Sequence, residues 1–459
     1  MRGKISPSCI IATMARRSHD FPGLGCDTMV ALPAATRDGF TIFAKNSDRP
    51  ANECQPLVQV KGRRHPPASE VRCQYLSIPQ VRHTYGFVGS QPYWLWGLEH
   101  GVNEYRVAIG NEAVYTRDPL PATGLLGMDL VRLGLERAET AFRAVEVMTG
   151  LLETYGQGGS ALPGTAVGYH NSFLIADPAD AWVLEASGWR WAARRVPQVG
   201  SISNHIAIHD DWDLASADLE SHAVERGWWD TGRGRLAFDS AYRETETVPA
   251  RMSEGRLARS RCLLETNAGR LTERDFMDFL RDHGDGPAPL PEHRDPESPD
   301  FFTLCFHLDP LVSTTASIVA RLRVKPDGWP DLWACLGSPC TGVFLPIYLD
   351  ADLPPALSAG GTEPSRDSPW WRFKALRDAA LSPEANPPLA EAGPRNSLVR
   401  LQACWRAWED QLLREVEDLA QEVVALEASG QAAAARQVKS RFQARAAEGT
   451  LRRLVELGY

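Results

Sequence analysis

The sequence predicts a layered α+β domain in which sheets pack face to face and helices lie outside. Three observations predict it. Short β-prone runs recur over residues 28–206 and again over 302–336, amphipathic helical stretches sit between them, and 43% hydrophobic with 23% charged residues suits an ordinary buried core. At 459 residues there is room for two or three domains, or for one large catalytic domain with an appendage.

The first two strands are residues 28–32 and 40–44, joined by Arg37-Asp38-Gly39, and Asp-Gly is a strong hairpin turn signal. Further strands are expected at 74–78, 85–89, 106–109, 171–176, 182–185, 189–194 and 201–206, with a hairpin at Ser187-Gly188. A helical pattern runs from Leu125 to Gly156, and shorter ones span 258–268 and 272–283, the last opened by Thr272-Glu273 with Asp275 as a cap and acidic first turn. A second strand cluster follows at 302–307, 317–323 and 332–336. The Pro-, Gly- and Ser-rich stretch 350–368 reads as a surface loop. Beyond Pro394 a helical tail in two segments breaks near Ser429-Gly430. Its stripe of Leu401, Trp405, Trp408, Leu412 and Leu413 reads as packing on its own domain ahead of a dimerisation coil, since fewer than four clean heptads are visible; a homo-oligomer stays open.

Several function classes are excluded. A net charge of −9 argues against a nucleic-acid or anionic-membrane partner. No apolar run approaches the ~18 residues of a membrane span. The nine cysteines are scattered, odd in number and lack a Cys-x-x-Cys pair, which speaks against a disulfide framework or zinc ribbon and for a reducing, cytoplasmic location. His205 and His209 are four apart, but 201–208 alternates as a strand, so the two rings do not share a helical face and no metal is expected there. Gly156-Gln157-Gly158-Gly159 follows a helix and lacks the Lys-Ser/Thr of a phosphate cradle, and no Gly-x-Ser-x-Gly elbow occurs.

One short stretch carries chemistry. Cys26 follows Gly23 and Gly25 and opens the first strand, while the second strand brings Lys45, Asp48 and Arg49 back beside it. A thiol beside cations gains thiolate character. Were the Gly25–Cys26 bond cut, Cys26 would also carry an α-amine with a pKa of ~7.7–8, which can take the thiol proton. Nucleophile and base would then be one residue. The plainer reading is a half-buried strand cysteine beside a solvated turn. Residues 1–25, with Arg2, Lys4, Arg16 and Arg17, are read as a leader; the apolar part is too short and too interrupted for a secretory signal, and Met14 is an alternative start.

The block CDTMVALPAATRDGFTIFAKNSDRPANECQPLV resembles the amino-terminal block of the secernin family, the C69 cysteine peptidases, among the N-terminal nucleophile hydrolases. The likeness continues through 91–114, 125–141, YGQGG, 169–193 and SISNHIAI, and more loosely through LRDHGDG, FTLCFHLDP and CLGSPCTGVFLPIY, covering most of residues 26–348. The resemblance implies a four-layer αββα fold over 26–350, preceded by a leader (1–25) and followed by a loop region with a short helix (351–395) and a helical extension (396–459). It also implies a self-processing hydrolase with Cys26 as nucleophile. Lys45 and Asp48 match a basic residue three positions before an aspartate in choloylglycine-type amidases, which carry arginine at the basic position; Asp48 would orient the α-amine. Asn204 would help hold the oxyanion, with Asn111 as a second donor, and an arginine is expected at Arg259 or Arg261. No metal or organic cofactor is implied. Substrates would be small peptides, as for a dipeptidase, or N-acyl amines, as for a penicillin or bile-salt acylase; a non-catalytic interaction protein on the same fold is the third reading. Tyr93-Trp94-Leu95-Trp96 is read as core ahead of an acyl pocket.

Overall fold

The computed structural model describes residues 25–245, 251–284, 301–381 and 394–459. The leader, except for Gly25, lies outside the described residues. Two large antiparallel sheets face each other. In the first, the strand order is Val199–Ile202, β1 (Cys26–Ala31), β2 (Thr41–Pro50), Val312–Leu322, Leu332–Leu336 and Leu345–Ile347, with His307–Leu308 pairing onto Val312–Leu322. The second runs Leu214–Ala215, Arg190–Arg195, Ala181–Ser187, His170–Ala176, Ala108–Val114, His100–Asn103, Phe87–Ser90 and Leu57–Val60.

Between the sheets lies an apolar core, to which the first sheet gives Val30 and Phe43 and the second gives Val102, Leu174 and Val183. Burial on both faces explains why Val312–Leu322 is buried at every position rather than at alternate ones. Outside the second sheet, helices Gly127–Arg137 and Ala141–Tyr155 cover Ile109, Phe173 and Leu184. Outside the first, helices Arg251–Asn267, Glu273–Leu280 and Pro369–Leu381 pack, with Pro394–Ala428 and Ala432–Glu456 beyond them. The architecture is αββα. Among the described residues no helix is long and apolar enough to cross a membrane.

The sequence expectations differ from these elements in several places: the strand expected at 74–78 forms only over Ser77–Pro79, that at 106–109 is Ala108–Val114, and Leu57–Val60 and His100–Asn103 are strands that were not expected. The helix expected over 125–156 is two helices, because Thr140 caps a new start by accepting from the Arg143 N–H. The helix expected at 258–268 begins at Arg251, a full two turns earlier. The strand expected at 201–206 pairs only to Ile202, and that at 302–307 is a strand only at His307. The cap at Thr272 is present and reciprocal: Thr272 N–H donates to Asp275 Oδ2 at 2.8 Å, and Asp275 N–H to Thr272 Oγ1 at 3.3 Å. The stripe on the tail packs inward. Trp405 Nε1 donates to the Thr341 carbonyl at 2.9 Å, and Trp408 Nε1 to Thr450 Oγ1 of the following helix at 2.8 Å.

Candidate active site

Register alone assembles the surroundings of Cys26. β1 pairs β2 with Cys26 opposite Ser47, which sets Gly25 opposite Asp48. On its other side β1 pairs Val199–Ile202 with Thr28 opposite Ile202, so the chain leaving that strand carries Asn204 past Cys26. The Asp48 N–H donates to the Gly25 carbonyl at 3.0 Å and lies 3.4 Å from Cys26 Sγ. The Cys26 N–H donates to Asn204 Oδ1 at 2.8 Å. A Cβ on Gly25 would stand 2.8 Å from Asp48 Oδ2, so the carboxylate approaches the Gly25–Cys26 peptide as closely as only glycine permits.

Asp48 Oδ1 accepts from Thr314 Oγ1 at 2.6 Å, whereas Asp48 Oδ2 has no hydrogen-bond partner among the described residues and lies 3.8 Å from Arg256. Burial pushes the Asp48 carboxyl up to about 7, with Arg256 opposing. Asp27 is raised to about 6 by the same cause, again against Arg256, which pairs with Asp27 Oδ2. Glu112 is raised to about 8 by burial, against Lys45. Cys26 is buried, and burial pushes its thiol up, with Lys45 opposing and Glu99 and Asp48 adding to the rise. The thiolate expected from neighbouring cations is therefore not the state of Cys26 while Gly25 remains attached.

The candidate residues fall into place unequally. Cys26, Asp48 and Asn204 are together. The orientation of Asn204 is fixed by three partners: its oxygen accepts from the Cys26 N–H and, at 2.6 Å, from Arg256 Nη2, while its Nδ2 donates to the Ala113 carbonyl at 3.0 Å. Its carbonyl, not its NH₂, faces the cysteine, the reverse of an oxyanion donor. Lys45 is buried between the sheets on Glu99 at 3.3 Å, one strand from Cys26. Arg49 turns away to Glu53 at 2.7 Å and Tyr169 at 3.1 Å.

Asn111 is displaced from the site. Side chains alternate along Ala108–Val114. Gly110 abuts Lys45 and Glu112 accepts from Thr28, so both face the first sheet, and Asn111 faces the outer helices, donating to Asn171 Oδ1 at 3.0 Å beside Met128. The arginine that lies beside Cys26 is Arg256, not Arg259 or Arg261. Arg259 pairs with Asp282 at 2.8 Å, and Arg261 lines a surface cleft with Arg194 and Asp211. His205 and His209 lie apart in function, on Ser253 and Asp239. Trp96 stacks on Arg132, and Leu95 is core, as the packing reading has it.

The model of Peptidase family C69 matches residues 25–258, just over half of the chain. This chain belongs to Peptidase family C69. Two proteins named probable dipeptidase A from Streptococcus pyogenes are similar to it: that of serotype M3 (strain SSI-1) is 29% identical over 221 residues, and that of serotype M1 is 30% identical over 219. These matches cover 43% and 42% of this chain and 45% and 44% of the relatives, so the chain spans less than half the length of the curated relatives it matches. A penicillin V acylase structure from Agrobacterium tumefaciens aligns over 70% of this chain and 85% of its own, at 12% identity and a TM-score of 0.39.

In this C69 chain, sequence reasoning missed Arg256, Asp27, Glu99, Glu112 and Thr314. A glutamate inside the otherwise apolar AIGNEAV strand was a signal for Glu112; Arg256 had none, because its helix start was misplaced. Arg256 is fully buried, bonded to Asp27, Asn204 and the Cys26 carbonyl at 3.2 Å, with Phe306 beneath it. Arg256→Leu leaves Asp27 and Asp48 without their cation, and urea unfolding should show a loss of about 3–5 kcal/mol. A loss below ~1 kcal/mol, the scale of an exposed pair, would contradict this placement.

Proposed function

We propose that this chain is a cysteine-type N-terminal nucleophile hydrolase of small peptides, dipeptidase-like, generated by scission of its own Gly25–Cys26 bond. The observation that carries the reading is the unpartnered Asp48 Oδ2 set against the Gly25–Cys26 peptide, beside an Asn204 oxygen that already holds the Cys26 nitrogen at 2.8 Å. Among the described residues, Asp27, Asp48, Glu53, Glu99 and Glu112 lie with Lys45, Arg49 and Arg256 as their buried cations, a charge pattern that a new α-ammonium would help to balance. The C69 membership and the name of the two streptococcal relatives support the substrate class.

In the scission, Cys26 Sγ attacks the Gly25 carbonyl carbon, whose oxygen is held by the Asp48 N–H. The thiol proton passes to the departing Cys26 nitrogen, and water hydrolyses the thioester, leaving a Gly25 carboxylate and a free α-amine. In turnover that amine, held between Asn204 Oδ1 and Asp48 Oδ2, takes the thiol proton. The sulfur attacks the substrate carbonyl, and the amine returns the proton to the leaving nitrogen. Water then cleaves the acyl-enzyme with the amine as base. Asn204, Arg256 and Thr314 act as positioning residues; Lys45 is the cation that opposes the rise of the Cys26 thiol. Residues 26–350 form the catalytic unit, with the tail helices as its buttress. The unpaired state of all described cysteines supports a cytoplasmic setting.

A panel of dipeptides and N-acyl amino acids, followed by liberated amine, tests the reading. Release of free amino acids from dipeptides, with N-acyl amino acids slower by at least about tenfold, or roughly 1.4 kcal/mol in the barrier, is expected. Faster cleavage of the N-acyl compounds would move the chain to the acylase class.

A further inference from the structure

Behind Asp48 lies a second cluster that the proposed hydrolysis does not use. His283 follows the Glu273–Leu280 helix, Cys305 and His307 flank Phe306 ahead of the Val312–Leu322 strand, and Cys340 sits in the turn after Leu332–Leu336. Each offers one donor atom, and the four atoms all lie within 4.8 Å of one another. His307 Nε2 is 3.4 Å from Cys305 Sγ and 3.3 Å from Cys340 Sγ, and the two imidazoles are 5.3 Å apart between ring centroids. Cys305, His307 and Cys340 are buried and His283 is half-buried.

We propose that His283, Cys305, His307 and Cys340 bind one zinc ion as a closed, structural site. Zinc bound at about 2.3 Å to sulfur and about 2.0–2.1 Å to nitrogen in a tetrahedron sets its donor atoms about 3.3–3.8 Å apart, which the sulfur–nitrogen separations match. Hydrogen bonds link Cys340 to Cys305, His283 and His307, so all four side chains converge on one point, where a cation would take all four donor atoms at once. Two thiolates with two imidazoles select zinc over magnesium or calcium, which take oxygen ligands. Four protein ligands leave no open position, so the ion holds structure rather than reacting.

What it would hold is the wall of the active site. The Phe306 N–H, between the two ligands Cys305 and His307, donates to Thr314 Oγ1 at 2.9 Å, and Thr314 Oγ1 donates to Asp48 Oδ1 at 2.6 Å. Asn46, two residues before Asp48, donates to the carbonyls of Leu280 and Leu304, each close to a ligand. The ion would pin three segments that are distant in sequence, and binding would release thiol protons to solvent. The inference stands whether or not Cys26 is the nucleophile.

The test is metal analysis of the full chain, expressed with zinc sulfate in the medium and purified without chelator. About one zinc per chain is expected, falling to traces in Cys340→Ser and unchanged in Cys262→Ser, whose cysteine is exposed. Because Cys340→Ser can also fail to fold, cobalt(II) chloride is added to the zinc-stripped wild-type chain. The visible bands of tetrahedral cobalt and a near-ultraviolet thiolate charge-transfer band are expected. Wild-type chain with only traces of zinc and no cobalt bands overturns the proposal. So does zinc retained in folded Cys340→Ser, or an intact mass two hydrogens short with Cys305 and Cys340 in one disulfide.

Discussion

Cys26→Ala should leave residues 1–25 attached and abolish turnover of every amide substrate, a loss of about 10⁶-fold in kcat by analogy with removal of a hydrolase nucleophile. Both effects have one origin. Scission and turnover each require a sulfur within reach of a carbonyl, and the thiol of Cys26 is the one beside Gly25, with the Asp48 N–H shared between its sulfur and the Gly25 oxygen. The other buried cysteines near this level, Cys305 and Cys340, face His307 instead. Cys26→Ser separates the two effects: a hydroxyl is a poorer nucleophile with a much higher pKa, so scission should slow to hours and turnover should fall close to the alanine level. Mass spectrometry and a dipeptide assay on the same samples read both. Wild-type turnover in Cys26→Ala would remove the sulfur from the chemistry altogether.

Asp48→Asn should act in opposite directions on activity and on stability. In a processing-competent chain it removes the carboxylate that faces the α-amine, and kcat/KM should fall by about 10²–10⁴, the usual share of acid–base positioning. In the Cys26→Ala background, where Gly25 stays attached, the same change should stabilise. There the Asp48 carboxyl is pushed up to about 7 by burial, against an ordinary value near 3.8. Between those values the folded chain holds a proton that the unfolded chain has released, so stability falls as pH rises from about 4 to about 7. Asparagine keeps the bond from Thr314 and has no such slope. The advantage of Asp48→Asn should be absent near pH 4 and reach on the order of 4 kcal/mol at pH 8. Urea denaturation at both pH values measures it, and an asparagine variant that is less stable than its parent at pH 8 would contradict the burial argument.

How much of this was legible in the sequence follows from how local each signal is. Strand pairing by hairpin is local, so the Asp-Gly turn and the two flanking runs sufficed to bring Asp48 back to Cys26. Asn204 was reached only through the resemblance of the SISN block; its approach to Cys26 depends on a long-range pairing of Val199–Ile202 with β1 that no local signal announces. Asn111 failed on parity: neighbouring strand residues face opposite sides, and a one-residue choice between Asn111 and Glu112 decides whether a side chain meets the first sheet or the helices. The arginine failed on helix register. With the helix begun at Arg251, Arg256 and Ser260 share the face against β1 and Ser201, which turns Arg259 toward Asp282. The Cys and His cluster was invisible because its four ligands come from three segments, and only Cys305-x-His307 is adjacent in the chain. Burial also reversed one inference: proximity of Lys45 suggested a thiolate, but desolvation outweighs that single charge until a base arrives at the same residue.

Intact-mass analysis of the wild-type chain, expressed from Met1 and fractionated until specific activity is constant, tests the central claim most directly. The active species is predicted to begin at Cys26, with activity rising in proportion to the fraction cleaved. Full activity in a species that still carries Gly25 bonded to Cys26 would contradict the account.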